Sequence, residues 1–157
     1  MENKPESNAF ALLKERGLTL ASAESCTGGL IAKRMTDLSG ASAVFRGGVV
    51  SYATEVKADV LGVPNEILDE YGAVSEPTAR AMAEGARKLM KADIAVSTTG
   101  VAGPDRDDRG NDVGTVYVAL AAEGETVCRK LSCGSTRDEV RQNAASIVFE
   151  MISEYLK

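Results

Sequence analysis

The chain has 157 residues, of which 44% are hydrophobic and 26% are charged, which is the composition of one folded domain with a sizeable core. The net charge of −5 and the aromatic content of 4% argue against a nucleic-acid partner, because both a basic surface and stacking platforms are missing. Apolar runs are too short for a membrane span or a signal peptide, and the three cysteines have no metal-ligand spacing. We therefore expect a cytoplasmic protein with reduced thiols and no membrane partner.

None of the 157 residues is histidine. This absence excludes a Ser-His-Asp triad, a Cys-His pair and an imidazole zinc site. If the protein carries out covalent hydrolysis, another side chain must take the proton of the nucleophile, and lysine is the usual substitute.

The first predicted strand covers residues 18–23 and leads into a polar turn at residues 24–29. A helix follows this turn and ends at Gly40. Its apolar side is formed by Leu30, Ile31, Met35 and Leu38.

A second strand is predicted for residues 44–52, interrupted by Gly47 and Gly48. Paired glycines inside a strand indicate a bulge or a place where the backbone approaches a ligand. A helical turn through Lys57 and a short helix from Pro64 to Tyr71 follow.

The second half begins with a helix that starts at residues 75–77, where proline stands in the first turn. Residues 94–97 form a buried type of strand that runs into a loop of hydroxyls and glycines at residues 98–104. Residues 114–122 and 125–133 are predicted to form a hairpin that turns at Gly124. A capping box at residues 136–139 opens the final helix.

Strands that alternate with helices, followed by one late hairpin, predict an α/β protein. We expect a three-layer α/β/α sandwich with a mixed, mostly parallel sheet, formed by a single domain over residues 1–157.

The turn at residues 24–29 is a candidate for chemistry because backbone N–H groups at a helix start can hold an anion or an oxyanion. Ser25 lies where the strand would aim a nucleophile at these donors. A structural alternative is that Ser25 or Thr27 caps the helix while Gly28 and Gly29 make a tight turn. Cys26 is a competing nucleophile that lacks an evident activator.

Lys57 follows a strand end and could reach the same sheet edge as Ser25. A lysine acts as a base only where desolvation or a neighbouring cation lowers its pKa, and the alternative is a solvated helix lysine. Tyr52 is likewise either a strand residue or a proton relay. Because ligand crevices form beyond the carboxyl ends of strands, the loop at residues 98–104 favours a site shared with Ser25.

The charged loop at residues 105–112 alternates carboxylates, but the terminal glutamate of a calcium loop would fall on Val116. We therefore expect a solvated loop and no metal. Arg137 and Arg141 share one face of the final helix and could bind phosphate, or pair with Asp138 and other surface acids.

Taken together, these stretches resemble the CinA C-terminal domain family, whose active members are nicotinamide mononucleotide deamidases. The resemblance covers almost the whole chain in order. The matching stretches are residues 23–30, 39–42 with Phe45, 47–52, Lys57, 61–63, 72–76, 99–104, 113–117, Arg137 and 140–141.

The resemblance implies a Ser-Lys amidohydrolase that converts nicotinamide mononucleotide to the acid and ammonia, in pyridine nucleotide salvage, without a cofactor. It assigns Ser25 as nucleophile, Lys57 as base, and Tyr52 and Thr99 as supporting groups. The substrate-binding residues that we expect with it are Glu24, Thr27, Gly28, Gly29, Gly47, Gly48, Gly100 and Arg137.

The resemblance also implies a homodimer and a free-standing form without the larger N-terminal domain of longer members. Two alternatives stay open. One is a catalytically silent module that binds a pyridine nucleotide or has a regulatory role. The other, less supported because no metal-ligand cluster is visible, is a phosphate-ester hydrolase.

Overall fold

A computed structural model describes residues 3–157, and Met1 and Glu2, the first residues of the predicted domain, lie outside that range. The helices in it are α1 (Pro5–Arg16), α2 (Leu30–Thr36), α3 (Thr54–Asp59), α4 (Asn65–Tyr71), α5 (Glu76–Met90) and α6 (Arg137–Leu156). The strands are β1 (Leu20–Glu24), β2 (Phe45–Val50), β3 (Ile94–Gly100), β4 (Thr115–Ala122) and β5 (Glu125–Ser132).

The described strands form one sheet in the order β2-β1-β3-β4-β5. Strand β1 pairs in parallel with β2 and β3, whereas β4 is antiparallel to both β3 and β5. The neighbouring pairs are thus equally divided, although β4 alone among the described strands runs against the others. The predicted mixed α/β sheet is confirmed.

Alternate residues of the buried strands face two different apolar layers. Leu20 of β1 packs in a cluster with α1, α2 and α6, while the next residue, Ala21, packs with α4 and α5 on the other face. This places helices on both faces and confirms the three-layer α/β/α arrangement. Small side chains, Ala79 and Ala83 of α5 against Ala119 of β4, let that helix lie close to the sheet.

The sequence pattern does not predict helix α1, which precedes the first predicted strand at residue 18. Pro5 stands in its first turn, which is a favoured position for proline, and Gly17 closes it with a left-handed φ of 65°. Ala9 and Leu13 are fully buried in the same cluster as α6. Glu6 adds an ion pair of 2.7 Å with Arg34 of α2.

The predicted irregularity of β2 is a bulge. Leu20 pairs with Phe45 and Ala21 with Gly47, so Arg46 is the extra residue. A Cβ on Gly48 would lie 2.3 Å from the Ser22 hydroxyl oxygen, so only glycine fits there. Gly48 therefore serves packing within the sheet, whereas a Cβ on Gly47 would lie 3.3 Å from Met90 Sδ of α5.

The charged loop at residues 105–112 is largely exposed, as expected, but Arg109 ties it to α4. Its guanidinium donates to the backbone oxygens of Glu70 at 2.9 Å and Asp69 at 2.6 Å, at the carboxyl end of that helix. Cations are favoured at this end because the helix dipole is negative there. Within residues 3–157, none of the helices has the length and apolar character needed to cross a bilayer.

Candidate active site

A cleft of about 180 Å³ opens at the carboxyl ends of β1, β2 and β3. Its lining consists of Ser25, Cys26, Tyr52, Lys57, Ala73, Val74, Thr99, Gly100, Ala102 and Arg137. Six predicted site residues are thus brought together here, namely Ser25, Lys57, Tyr52, Thr99, Gly100 and Arg137. The other six, Glu24, Thr27, Gly28, Gly29, Gly47 and Gly48, are not part of the lining.

A larger groove of about 540 Å³ lies between α5 and the segment that joins α3 to α4. Its walls carry Arg80, Glu84 and Lys88 above an apolar floor that includes Leu61 and Ile67. It contains none of the predicted nucleophiles. We therefore assign the candidate site to the smaller cleft, where a nucleophile and a base meet.

Lys57 and Ser25 form the centre of the cleft. The Lys57 side chain, from the last turn of α3, is only 1% exposed, and its Nζ lies 3.0 Å from Ser25 Oγ. Nζ also donates to the backbone oxygens of Ser51 at 2.6 Å and Tyr52 at 3.4 Å. Its hydrogen-bond partners among residues 3–157 are therefore uncharged.

Burial lowers the pKa of Lys57 to about 8, against the opposing effects of Cys26 and Glu55. A neutral amine has two N–H donors and one lone pair. With the two N–H groups on the carbonyls of Ser51 and Tyr52, the lone pair is left for the Ser25 hydroxyl. This is the arrangement that a general base requires.

The turn that carries Ser25 is held by backbone hydrogen bonds. Ser25 N donates to Thr98 O of β3 at 3.0 Å, and Gly28 N donates to Ser25 O at 3.0 Å. Gly28 and Gly29 both have positive φ, 59° and 103°, which explains the glycine pair. The Gly28 amide already has an acceptor, so it contributes to the turn rather than to an oxyanion site.

Glu24 and Thr27 lie behind the cleft in a buried network. The Glu24 carboxylate is 1% exposed and accepts hydrogen bonds from Ile31 N at 2.8 Å, Ala32 N at 3.1 Å and Thr27 Oγ1 at 2.6 Å. The Thr27 hydroxyl also lies 2.8 Å from Thr98 Oγ1. Both residues hold the start of α2 and the turn before it.

The mouth of the cleft is bridged by Arg137. Its guanidinium donates to the Tyr52 hydroxyl at 2.9 Å and to Gly103 O at 2.7 Å. Tyr52 is 59% exposed, so this bridge is open to solvent. Thr99 is buried, and its hydroxyl donates to Ala73 O at 2.7 Å, joining two loops of the lining.

Cys26 also lines the cleft, but its thiol is 5% exposed and burial raises its pKa to about 12. A thiol that stays protonated at neutral pH is a poor nucleophile. The contact with a base thus favours Ser25 over Cys26.

Three roles were not predicted from the sequence: those of the backbone oxygens of Ser51 and Tyr52, of the Thr98 hydroxyl, and of Arg141. Backbone acceptors leave no mark in a sequence motif. Arg141 was expected to bind phosphate or a surface acid. It instead donates to Cys26 O at 3.2 Å and Thr27 O at 3.1 Å.

The family model of the CinA C-terminal domain matches residues 2–156. A CinA-like protein of Syntrophus aciditrophicus is 48% identical over 152 residues, which cover 96% of this chain and 36% of that protein. A CinA-like protein of Geobacter sulfurreducens is 46% identical over 155 residues, covering 99% of this chain and 38% of that protein. The chain therefore spans little more than a third of the length of these curated relatives.

Two crystal structures share the fold over nearly their full length. A CinA superfamily protein of Klebsiella pneumoniae aligns with a TM-score of 0.95 at 32% identity, covering 97% of this chain and 95% of that one. The competence/damage inducible protein CihA of Agrobacterium tumefaciens aligns with a TM-score of 0.90 at 37% identity, covering 99% of each chain. The chain belongs to the CinA C-terminal domain family.

Proposed function

We propose that this member of the CinA C-terminal domain family is an amidohydrolase that deamidates nicotinamide mononucleotide through a Ser-Lys mechanism, as a step of pyridine nucleotide salvage. One observation carries the proposal: the Nζ of the buried Lys57 lies 3.0 Å from Ser25 Oγ inside a cleft. In a protein without histidine, this pair supplies both a nucleophile and a base.

In the first half of the reaction, neutral Lys57 takes the Ser25 proton while Oγ forms a bond to the carboxamide carbon. The resulting ammonium of Lys57 then gives this proton to the departing nitrogen, the C–N bond breaks, and ammonia leaves. An ester between Ser25 and the nicotinate carbonyl remains.

In the second half, water occupies the place that ammonia has left. Lys57 takes a proton from this water as its oxygen attacks the ester carbonyl. The proton returns to Ser25 Oγ when the ester bond breaks, so amide and water have become acid and ammonia.

The developing oxyanion needs N–H donors, and the Cys26 amide is our candidate. Cys26 directly follows the nucleophile and lines the cleft. Within residues 3–157 its backbone N–H donates to no other residue's backbone. The amide after the nucleophile serves this role in other serine hydrolases that use a strand-turn-helix.

The cleft volume of about 180 Å³ is below the roughly 300–1,000 Å³ of a site for a drug-sized ligand. We therefore place the carboxamide-bearing ring inside and the ribose phosphate outward, toward the exposed Arg137 at the mouth. A guanidinium offers a phosphate two parallel N–H groups.

The test is incubation of the purified protein with nicotinamide mononucleotide and measurement of ammonia, with Ser25→Ala as the control. We expect ammonia in proportion to enzyme, insensitive to EDTA, with kcat/KM rising with pH through about 8 as Lys57 loses its proton.

Failure to release ammonia from folded protein would overturn the proposal. Calorimetric binding of the mononucleotide without turnover would select the silent module instead. Release of inorganic phosphate would select the phosphate-ester hydrolase. The homodimer and the cytoplasmic location stay predictions.

A further inference from the structure

Arg141, near the start of α6, lies against the turn that carries Ser25. Its Nε donates to Cys26 O at 3.2 Å and its Nη2 donates to Thr27 O at 3.1 Å. Among residues 3–157 no carboxylate forms an ion pair with this guanidinium. The hydrogen bonds of Arg141 are thus directed at two successive backbone oxygens of the turn.

A partly buried cation without a counter-ion is unfavourable unless its N–H groups are well used. Charge-assisted bonds to carbonyls meet this need, and the rigid guanidinium fork fits two neighbouring acceptors at once. The turn also makes room for it, since a Cβ on Gly28 would lie only 3.3 Å from Arg141 Nη2.

These contacts control the orientation of the peptide groups, because a trans peptide holds its C=O and N–H in one plane and pointing in opposite directions. Arg141 fixes the carbonyls of Cys26 and Thr27 from the side of α6. The Gly28 amide fixes the Ser25 carbonyl at 3.0 Å from within the turn. Cys26 is therefore held at both of its peptide bonds.

We propose that Arg141 is a positioning residue that holds Cys26 so that its backbone N–H faces the oxyanion formed at Ser25. This inference rests on the proposed function and goes one step beyond it. Arg141 does not touch the substrate in this proposal, in contrast to Arg137 at the mouth of the cleft.

Arg34 provides a matched control. Its guanidinium is also partly buried, 13% exposed, and links α2 to α6 through Ser146 Oγ at 3.1 Å and to Glu6 at 2.7 Å. Its hydrogen bonds and its ion pair go to none of the residues of the Ser25 turn. Arg34→Gln therefore removes an interhelical arginine without altering the turn.

The kinetic test compares Arg141→Gln and Arg34→Gln in the ammonia assay. We expect Arg141→Gln to lower kcat by on the order of 100-fold with KM within about twofold, because an oxyanion donor is displaced while ground-state binding is kept. Arg141→Lys should recover only part of kcat, since an ammonium lacks the planar fork. Equal kcat values for Arg141→Gln and Arg34→Gln would overturn the proposal.

A second measurement does not depend on the substrate. Native protein is treated with N-ethylmaleimide, and labelling is mapped by peptide mass spectrometry. We expect Cys26 to react at least about tenfold faster in Arg141→Gln than in the wild type or Arg34→Gln, because the turn opens locally. Cys128, which lies on β5 outside the lining of the cleft, is the internal control for general loosening.

Unchanged labelling of Cys26, or equal acceleration at Cys26 and Cys128, would overturn the positioning role. If the wild type releases no ammonia, the proposed function fails while the labelling still decides whether Arg141 holds the turn. A variant too unstable to purify is replaced by Arg141→Lys in the same measurement.

Discussion

Two ionisable side chains lie buried next to the Ser25 turn, and their hydrogen-bond partners are of opposite kinds. Glu24 and Lys57 are each 1% exposed. The Glu24 carboxylate receives two backbone N–H groups of α2 and the Thr27 hydroxyl. Lys57 meets a hydroxyl and two carbonyls, and burial lowers its pKa to about 8.

The difference shows how the fold gives one buried ionisable residue a structural role and the other a reactive role. Backbone N–H groups at a helix start carry partial positive charge and stabilise a carboxylate. Carbonyl oxygens orient an amine, but their hydrogen bonds do not offset the full free-energy cost of removing its charged form from water. Glu24 therefore holds the start of α2 in place, whereas Lys57 is prepared to lose its proton.

The largest test of this comparison is removal of the reactive pair. Ser25→Ala and Lys57→Ala should each lower kcat for deamidation by at least about 1,000-fold, and the double variant should be little worse, because the two residues act as one unit. Steady-state ammonia release checks this. Additive losses in the double variant would show that the residues act separately.

On the structural side, Glu24→Gln should lower the free energy of unfolding by about 2–3 kcal/mol, because the new amide places an N–H group against the donors of α2. Urea denaturation of the variant and the wild type measures the change. The exposed Glu84 of α5 supplies the control, and Glu84→Gln should leave stability unaltered. Equal stability of both variants would contradict the structural role of Glu24.

Arg137 extends the comparison to an exposed cation. Arg137→Ala should raise KM for nicotinamide mononucleotide by about tenfold with a smaller effect on kcat, because a phosphate contact is shared by ground and transition states. Nicotinamide riboside, which lacks the phosphate, is the matched substrate. If the variant and the wild type discriminate equally between the two substrates, Arg137 does not bind the phosphate.

Lys57→Met sharpens the comparison through stability. Folded wild type carries a lysine whose pKa is lowered from 10.5 to about 8, so the unfolded chain binds more protons between these values. The contribution of Lys57 to the free energy of unfolding therefore rises from pH 8 to 10.5. Below pH 8 the buried lysine destabilises the folded state the most.

We accordingly expect Lys57→Met to be inactive yet about 1 kcal/mol more stable than the wild type at pH 7. The advantage should shrink by pH 10, as urea denaturation at both pH values would show. A variant less stable than the wild type at pH 7, with the same gap at pH 10, would contradict the account.

The smallest effect is expected for Cys26→Ala. Its thiol is buried with a pKa raised to about 12, and the residue contributes to the proposed mechanism through its backbone. Turnover should change by less than about threefold, measured as ammonia release. An inactive Cys26→Ala beside an active Ser25→Ala would mean that the nucleophile is misassigned.

Much of the fold could be predicted because its signals are local. The apolar residues 94–97, the glycine at position 124 and the cap at Thr136 each mark an element that the structure contains. Helix α1 was missed because its apolar residues form no regular stripe, although Pro5 marked its start. Its packing is decided by α6, far away in the sequence.

The site residues also divide into those that local sequence signals predict and those that they do not. Ser25, Tyr52 and Lys57 could be proposed from residue type and the ends of strands, and the structure brings them to one cleft. Glu24 directly precedes Ser25, yet its side chain turns to α2, and no motif states which side of a turn a side chain takes. The Arg141 contacts join residues that are more than a hundred positions apart in the sequence, so no local pattern could predict them.

Helix α1 has a consequence for the order of synthesis. It is synthesised before the sheet, but the surface on which Ala9 and Leu13 are buried includes Val148 and Ile152 of α6, which follows the sheet in the chain. Contacts between segments that are far apart in the sequence form slowly, because the entropy of closing the intervening loop is lost before the contacts can stabilise the chain. The nascent chain must therefore carry α1 with its apolar face uncovered until α6 has been synthesised, and a chain stalled before α6 would offer that face to chaperones.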